Sequence, residues 1–254
     1  MMLHTDFDPS MTAVVNPADV IRHNPEMPEN MVGVFSYKIV NEYVKRLNAV
    51  QVGHHKSCMG IQPIWKCTWP DGTEFALTMM LVGGPCAASI IEEAIPMGVK
   101  RFVMLGSCGA LNHEITAGHI LVPEAAVRDE GTSYHYLPPA EEVTLDPHCV
   151  GAVCRALDSL NAPYARVKTW TTDAFYRETR GKVEKRLKQG CSVVEMECAS
   201  MAAVSKFRGV QFAQFLWAAD SLSGEVWDKR NLSELGMSEN ELYMEAAVRT
   251  LHYM

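Results

Sequence analysis

Apolar residues fall along this chain in two rhythms, one suited to buried strands and the other to helices with one buried face. In KRFVMLGSCGA (residues 100–110), CSVVEM (191–196) and VQFAQFLWAAD (210–220) they run almost unbroken, as in strands covered on both sides. In YKIVNEYVKRL (37–47) Ile39, Tyr43 and Leu47 recur every four residues, as on one helix face, and VGVFS ahead of it reads as a strand. IWKCTW and EFALTMMLV read as a hairpin, because Pro70, Asp71 and Gly72 supply turn chemistry between them. GGPCAASIIEEAIPMG follows as a helix: Gly83 and Gly84 make a tight loop, Pro85 suits the first helical position and Gly98 the C-terminal cap.

Strand, glycine loop, helix, strand, glycine loop is a βαβ unit, which implies parallel strands with ligands outside their carboxyl ends. Downstream, HILVPEAAVRDEG and ARVKTWTT read as strands, and PHCVGAVCRALDSL, TRGKVEKRLKQG and ECASMAAVSKFRG as helices, the last ended by Gly209. MSENELYMEAAVRTLHYM closes the chain as a helix in which Ser238 and Glu241 fit a capping box. The fold class expected is α/β, a single domain over residues 31–254 with a mixed central sheet and helices on both sides. Residues 1–30 mix Pro, Asn and acids without a period, as an extended N-terminal arm that lies on a neighbouring subunit.

At 254 residues the chain is long enough for one large domain, and its formal net charge of −7 repels a phosphate backbone, so nucleic acid is not an expected partner. Eight cysteines without a CxxC pair read as reduced thiols of a cytoplasmic protein. No stretch approaches the roughly 20 apolar residues that a membrane helix needs, so no membrane association is expected. His54, His55, Cys58 and Cys67 match no closed tetrahedral pattern; they read as a solvated turn plus two core thiols, and no metal is expected.

The candidate chemistry sits at strand ends. Glu195 and Glu197 flank Met196 where an apolar strand gives way to a helix of small residues. Ionised carboxylates only accept hydrogen bonds and suit a ligand that presents hydroxyls, such as a ribose diol, while acids at a helix N-terminus are equally explained by the helix dipole. Asp220 ends its strand at the same sheet edge as Glu195–Glu197 if the two strands are parallel, and is either a general acid of raised pKa or a helix N-cap. The loops GGPCAAS and LGSCGAL offer backbone N–H groups to an anion, with Ser107 adding a hydroxyl. SYHYLP reads as an aromatic loop near a ligand or as a surface turn.

Taken together, several stretches resemble the nucleoside phosphorylases and nucleosidases of the hexameric purine and uridine phosphorylase type, over about residues 78–230 and only faintly before residue 75. GGPCAASIIEEAIPMGVKRFVMLGSCGAL resembles the family's first glycine-rich segment and phosphate loop, and RDEGTSYHYLP the segment after its next strand. TTDAFY is similar to its base-stacking segment, VVEMECASM to its ribose signature and AADSLSG to its catalytic-acid loop. The resemblance implies a nucleoside phosphorylase-like fold in which Glu197 accepts the ribose hydroxyls, Met196 packs beneath the sugar and Glu195 supports them. It places Phe175 and Thr172 at the base, Ser107 and Gly106 at the phosphate, and makes Asp220 the acid that protonates a purine leaving group. Uridine-type members use instead a Gln and an Arg after the stacking aromatic, where this chain has Thr179 and Gly181, so a purine is preferred.

Two departures matter. The family's phosphorylases carry an arginine three residues before the phosphate-contacting hydroxyl, and Met104 stands there; VGVFSYK is not their G-D-P-x-R loop. Lys38 is the nearest replacement cation, with Lys56 and Arg128 as others. The resemblance implies an enzyme that takes a nucleoside and phosphate to free base and ribose 1-phosphate, with no cofactor beyond phosphate as co-substrate. The alternatives are a nucleosidase of the same fold using water, a uridine-type phosphorylase, and a catalytically silent nucleoside-binding protein. A homo-oligomer, dimer or trimer of dimers, is implied as well.

Overall fold

The computed structural model describes residues 6–58, 60–230 and 240–254. A short helix α1 (Pro17–Val20) precedes strand β1 (Asn30–Val34) and helix α2 (Tyr37–Arg46). Strands β2 (Val50–Ser57), β3 (Gly60–Thr68) and β4 (Glu74–Met79) lead into α3 (Gly84–Met97) and β5 (Arg101–Ala110). Then come β6 (Ile120–Asp129), β7 (Glu142–Thr144), α4 (Pro147–Ser159), β8 (Tyr164–Thr172) and α5 (Arg180–Lys188). The chain ends with β9 (Cys191–Glu195), α6 (Cys198–Arg208), β10 (Gln211–Ser221) and α7 (Asn240–Tyr253).

The strands form one ten-stranded mixed sheet, in the order β10-β6-β8-β9-β5-β1-β4-β3-β2, with β7 on β6. Because β10 also pairs with β5, the strands β5, β9, β8, β6 and β10 close into a ring, from which β1, β4, β3 and β2 extend as a limb. Helix α3 packs on α6 and α4 on α7. Helix α6 is buried on all its sides from Cys198 to Ser205, which is why its sequence is almost entirely small or apolar. Phe102, Phe215, Trp217 and Tyr243 lie fully inside the core, the last two stacked 4.9 Å apart between β10 and α7.

One edge of β5 is shared. Its first half, Arg101–Leu105, runs parallel to β1, while Gly109 and Ala110 pair antiparallel with Val194 and Val193 of β9. Between those pairings Gly106, Ser107 and Cys108 have no strand partner on that edge among the described residues, although their other edge is held by Leu216, Trp217 and Ala218. A sheet that divides at a strand's carboxyl end leaves a crevice there.

Several expectations need correction. β9 runs antiparallel to β5, so Glu195–Glu197 and Asp220 do not lie on parallel strands; they approach because both strands terminate around the end of β5. His54 and His55 belong to an edge strand rather than a turn; most of β2 is exposed, so no apolar alternation marks it. Cys67 is buried but Cys58 is exposed, so only one of the two is a core thiol. Pro85 is the second residue of α3, not its first. The last residues of the arm are anchored on the same chain, Met27 entering the core and Asn24 binding the backbone of Met97 and Val52, while most of residues 6–22 are exposed. The capping box at Ser238 lies outside the described residues. Among the described residues no helix is long and apolar enough to cross a membrane.

Candidate active site

The two glutamates at the end of β9 divide their tasks. Oε2 of Glu195 accepts the backbone N–H groups of Glu197 (2.7 Å) and Cys198 (2.6 Å), the donors that a helix start leaves free. Its Oε1 accepts the hydroxyls of Thr171 (2.6 Å) and Thr169 (3.2 Å) from β8. Burial pushes the Glu195 carboxyl above its ordinary value, and these four donors offset part of that rise. Its role is to lock the strand-to-helix junction. Met196 is half-buried, and Glu197, buried, turns the other way, its Oε1 accepting the N–H of Gly83 at 2.6 Å. Burial, then the neighbouring charge of Glu195, raises Glu197 to about 8.

The first glycine loop therefore binds a carboxyl group supplied by the protein itself. Gly83 holds φ at +97°, a conformation that costs an L side chain. A Cβ on Gly84 would come within 2.4 Å of the Ser200 Oγ, so α3 and α6 meet at this point only because the residue is glycine. Ser200 in turn donates to Glu130 (2.6 Å), which also accepts the N–H and hydroxyl of Ser133. Arg128 gives its guanidinium to Ser133 Oγ (2.7 Å) and to the carbonyls of Pro138 (2.7 Å) and Leu137 (3.3 Å), so this cation is committed to folding its own loop. Arg128, Glu130, Tyr134, His135 and Asp173 border a cleft of about 470 Å³, and the Asp173 charge is among those that push Glu197 up.

Asp220 lies across the end of β5 from this junction. Gly109 is the strand partner of both Val194 and Asp220, and a bulge between Ala218 and Asp220 re-aims the strand there. Oδ1 of Asp220 lies 3.1 Å from where a Gly109 Cβ would stand, and Oδ2 accepts the indole N–H of Trp227 at 2.6 Å. Burial raises its pKa, and the Trp227 bond partly offsets that. The thiol of Cys108, fully buried, is pushed up first by burial and then by the carboxylates of Glu195 and Asp220, which places both acids around one residue of β5.

Beside Asp220 runs the turn 175–178. Thr172, buried at the end of β8, accepts the N–H of Ala174 (3.3 Å) and sets the turn's start. Phe175 is 49% exposed and packs 4.1 Å from Tyr176, an apolar face open to a ligand. Arg180 donates to the carbonyls of Leu222 (2.9 Å) and Gly224, strapping this turn to the loop that follows Asp220. Glu178, between them, is raised to about 7 by burial and then by Asp220.

At the open edge of β5, Ser107 is partly exposed, and Gly106 lies under Phe35, whose ring is 3.0 Å from a notional Cβ. Lys38 is exposed on the first turn of α2 and Lys56 on β2. Met104 is fully buried, its sulfur filling the space over Gly33 beside Met80. The structure thus brings Glu197, Asp220, Phe175 and Ser107 around the carboxyl end of β5. Glu130, Asp173, Glu178 and Trp227 were not singled out from sequence; RDEG and YRETR are charged loop runs whose partners lie far along the chain.

A mixed sheet that opens at one strand end, ringed by acids and an exposed aromatic, defines an α/β protein built to hold a small polar ligand. The chain belongs to the phosphorylase superfamily, whose family model matches residues 36–251. It is 27% identical over 155 residues to uridine phosphorylase of Escherichia coli, covering 56% of this chain and 61% of that protein. It is 28% identical over 141 residues to guanosine phosphorylase of Halorubrum lacusprofundi, covering 56% of this chain and 58% of that one. The matched region thus spans about three fifths of these relatives' length. Among solved structures, AMP nucleosidase from Bacteroides thetaiotaomicron superposes with a TM-score of 0.74 at 19% identity, over 91% of this chain and 90% of that chain.

Proposed function

We propose that this chain is a nucleoside phosphorylase that cleaves the N-glycosidic bond of a purine nucleoside with inorganic phosphate, giving free base and ribose 1-phosphate. The observation that carries this reading is that Gly109 of β5 pairs with Val194 of β9 on one edge and with Asp220 of β10 on the other, so the strand leading to Glu197 and the strand carrying Asp220 end on either side of β5. Neighbouring strands lie about 4.8 Å apart, so β9 and β10, two spacings apart across β5, stand about 10 Å from each other, room for one nucleoside.

The reaction follows from that spacing. Glu197, once ionised, accepts the hydroxyls of the ribose while Met196 lies under the sugar and Phe175 stacks on the base. As the bond from C1′ to the purine nitrogen breaks, its electron pair moves into the base, and Asp220, whose pKa burial raises, is the acid that donates a proton to the base. A phosphate oxygen then bonds to C1′, which carries cationic character in the transition state. The Ser107 hydroxyl and the unpaired edge of β5 are the donors offered to that phosphate. A dimer or trimer of dimers is the assembly that fits this reading.

Met104 favours a second reading. Its side chain is sealed in the core where a phosphate-binding cation would be needed, and holding a dianion in a half-dry site without a cation is costly. With water as nucleophile the enzyme is a nucleosidase. Measuring base release with and without inorganic phosphate separates the two: phosphorolysis requires phosphate and yields ribose 1-phosphate, whereas hydrolysis is indifferent to it and yields ribose.

A further inference from the structure

Glu178 has no part in the reaction just described, yet its position is built by three elements. It follows the Phe175–Arg177 turn directly and is half-buried, and its carboxyl group takes no hydrogen bond among the described residues. Lys182 of α5, whose charge acts on it, is held by Asp129 at 3.0 Å. Arg180, two residues on, ties the turn to the carbonyls of Leu222 and Gly224 and so presses Glu178 toward Asp220 of β10. Two carboxyl groups from different elements thus lie within electrostatic reach of each other, and that of Glu178 has no hydrogen-bond partner among the described residues. Its raised pKa fits that crowding.

Such an arrangement costs stability unless a ligand completes it. A nucleoside with its sugar on Glu197 and its base on Phe175 turns the imidazole side of a purine to Asp220. The next group round that rim is the substituent at position 6, and a pyrimidine base carries no imidazole side to place there. Building on the phosphorylase reading, we infer that Glu178 is a specificity-determining residue that hydrogen-bonds the 6-substituent of a purine beside Asp220 and thereby selects purine over pyrimidine nucleosides. As a carboxylate it accepts from a 6-amino group; as a carboxylic acid it donates to a 6-oxo group.

The test compares wild type, Glu178→Ala and Glu178→Gln, each checked for an unchanged melting temperature, for binding of adenosine, inosine and uridine by calorimetry and for kcat/KM with phosphate. The expected result is a loss of about 10-fold or more for both purine nucleosides in Glu178→Ala with uridine unchanged. Glu178→Gln, which keeps one donor and one acceptor, should recover most of the loss. Equal changes for all three nucleosides, or none, would overturn the inference, as would a wild type that prefers uridine. A wild type that binds purine nucleosides without cleaving them would sink the phosphorylase reading instead, and the binding ratios would still decide the role of Glu178.

Discussion

At the scale of the residue, the E-M-E stretch combines two acids with opposite jobs, and their hydrogen bonds tell them apart. Glu195 is satisfied by four donors and belongs to the fold, whereas Glu197 takes only the backbone N–H groups of Gly83 and Met196 among the described residues and has room for a ligand. A consequence follows for pH. Glu197 titrates at about 8 in the folded chain against an ordinary 4.5, so between those values the folded state holds a proton that the unfolded state has lost. Folding stability must then fall as pH rises through that window, with no such cost below it. Glu197→Gln keeps the acceptor for Gly83 and removes the titration, so its melting temperature should match wild type near pH 5 and exceed it increasingly up to pH 8. Calorimetry across that range checks this, and a pH-independent difference would mean that Glu197 ionises normally. The same variant should raise KM for nucleosides, because an amide oxygen replaces a bidentate carboxylate. E-M-E could be read from sequence because its residues are adjacent; Glu178 could not, because its meaning comes from Asp220, which lies on a different strand.

At the scale of the element, β5 decides where the site is. Its runs of apolar residues made it legible as a buried strand, and its glycines marked the end where a ligand would sit. What the pattern did not carry was the partner on each edge: the antiparallel return of β9 and the bulge in β10 are long-range pairings that local periodicity leaves open. The edge strand β2 was missed for a related reason, since a mostly exposed strand needs no apolar alternation. Position 104 illustrates how the element constrains chemistry. Met104 faces the interior between Gly33 and Met80, where an arginine would bring a charge with no described partner. Met104→Arg should therefore destabilise the fold by about 3 kcal/mol or more rather than strengthen phosphate binding. Urea unfolding of the variant, alongside its KM for phosphate, tests the point; a stable variant with a lower KM would show that the strand can turn this side chain toward the crevice.

At the scale of the whole molecule, the closed ring and its four-stranded limb share β5, and that sharing bears on how the chain unfolds. The ring draws together strands from residue 101 to residue 221, while the limb is built from residues 30–79. Were the limb a separate unit, β1 could leave β5 without disturbing the ring. The core argues otherwise: residues of β1, β4 and α2 fall in the same apolar cluster as Phe215, Trp217 and the buried faces of α6 and α7. Tyr43 of α2 stacks 5.8 Å from Trp69, and Trp69 donates to Glu245 of α7 at 3.0 Å, so the far end of the limb is bonded to the C-terminal helix. Unfolding should then be a single transition. Fluorescence of Trp69, read in a variant with the other tryptophans replaced by phenylalanine, and that of Trp170 in the ring, read likewise, should give one urea midpoint, coincident with loss of helical circular dichroism. If the chain assembles with copies of itself, that midpoint rises with protein concentration for both probes together. Two midpoints would mean that the limb and the ring are separate folding units, and that the crevice between β1 and β9 lies at their boundary.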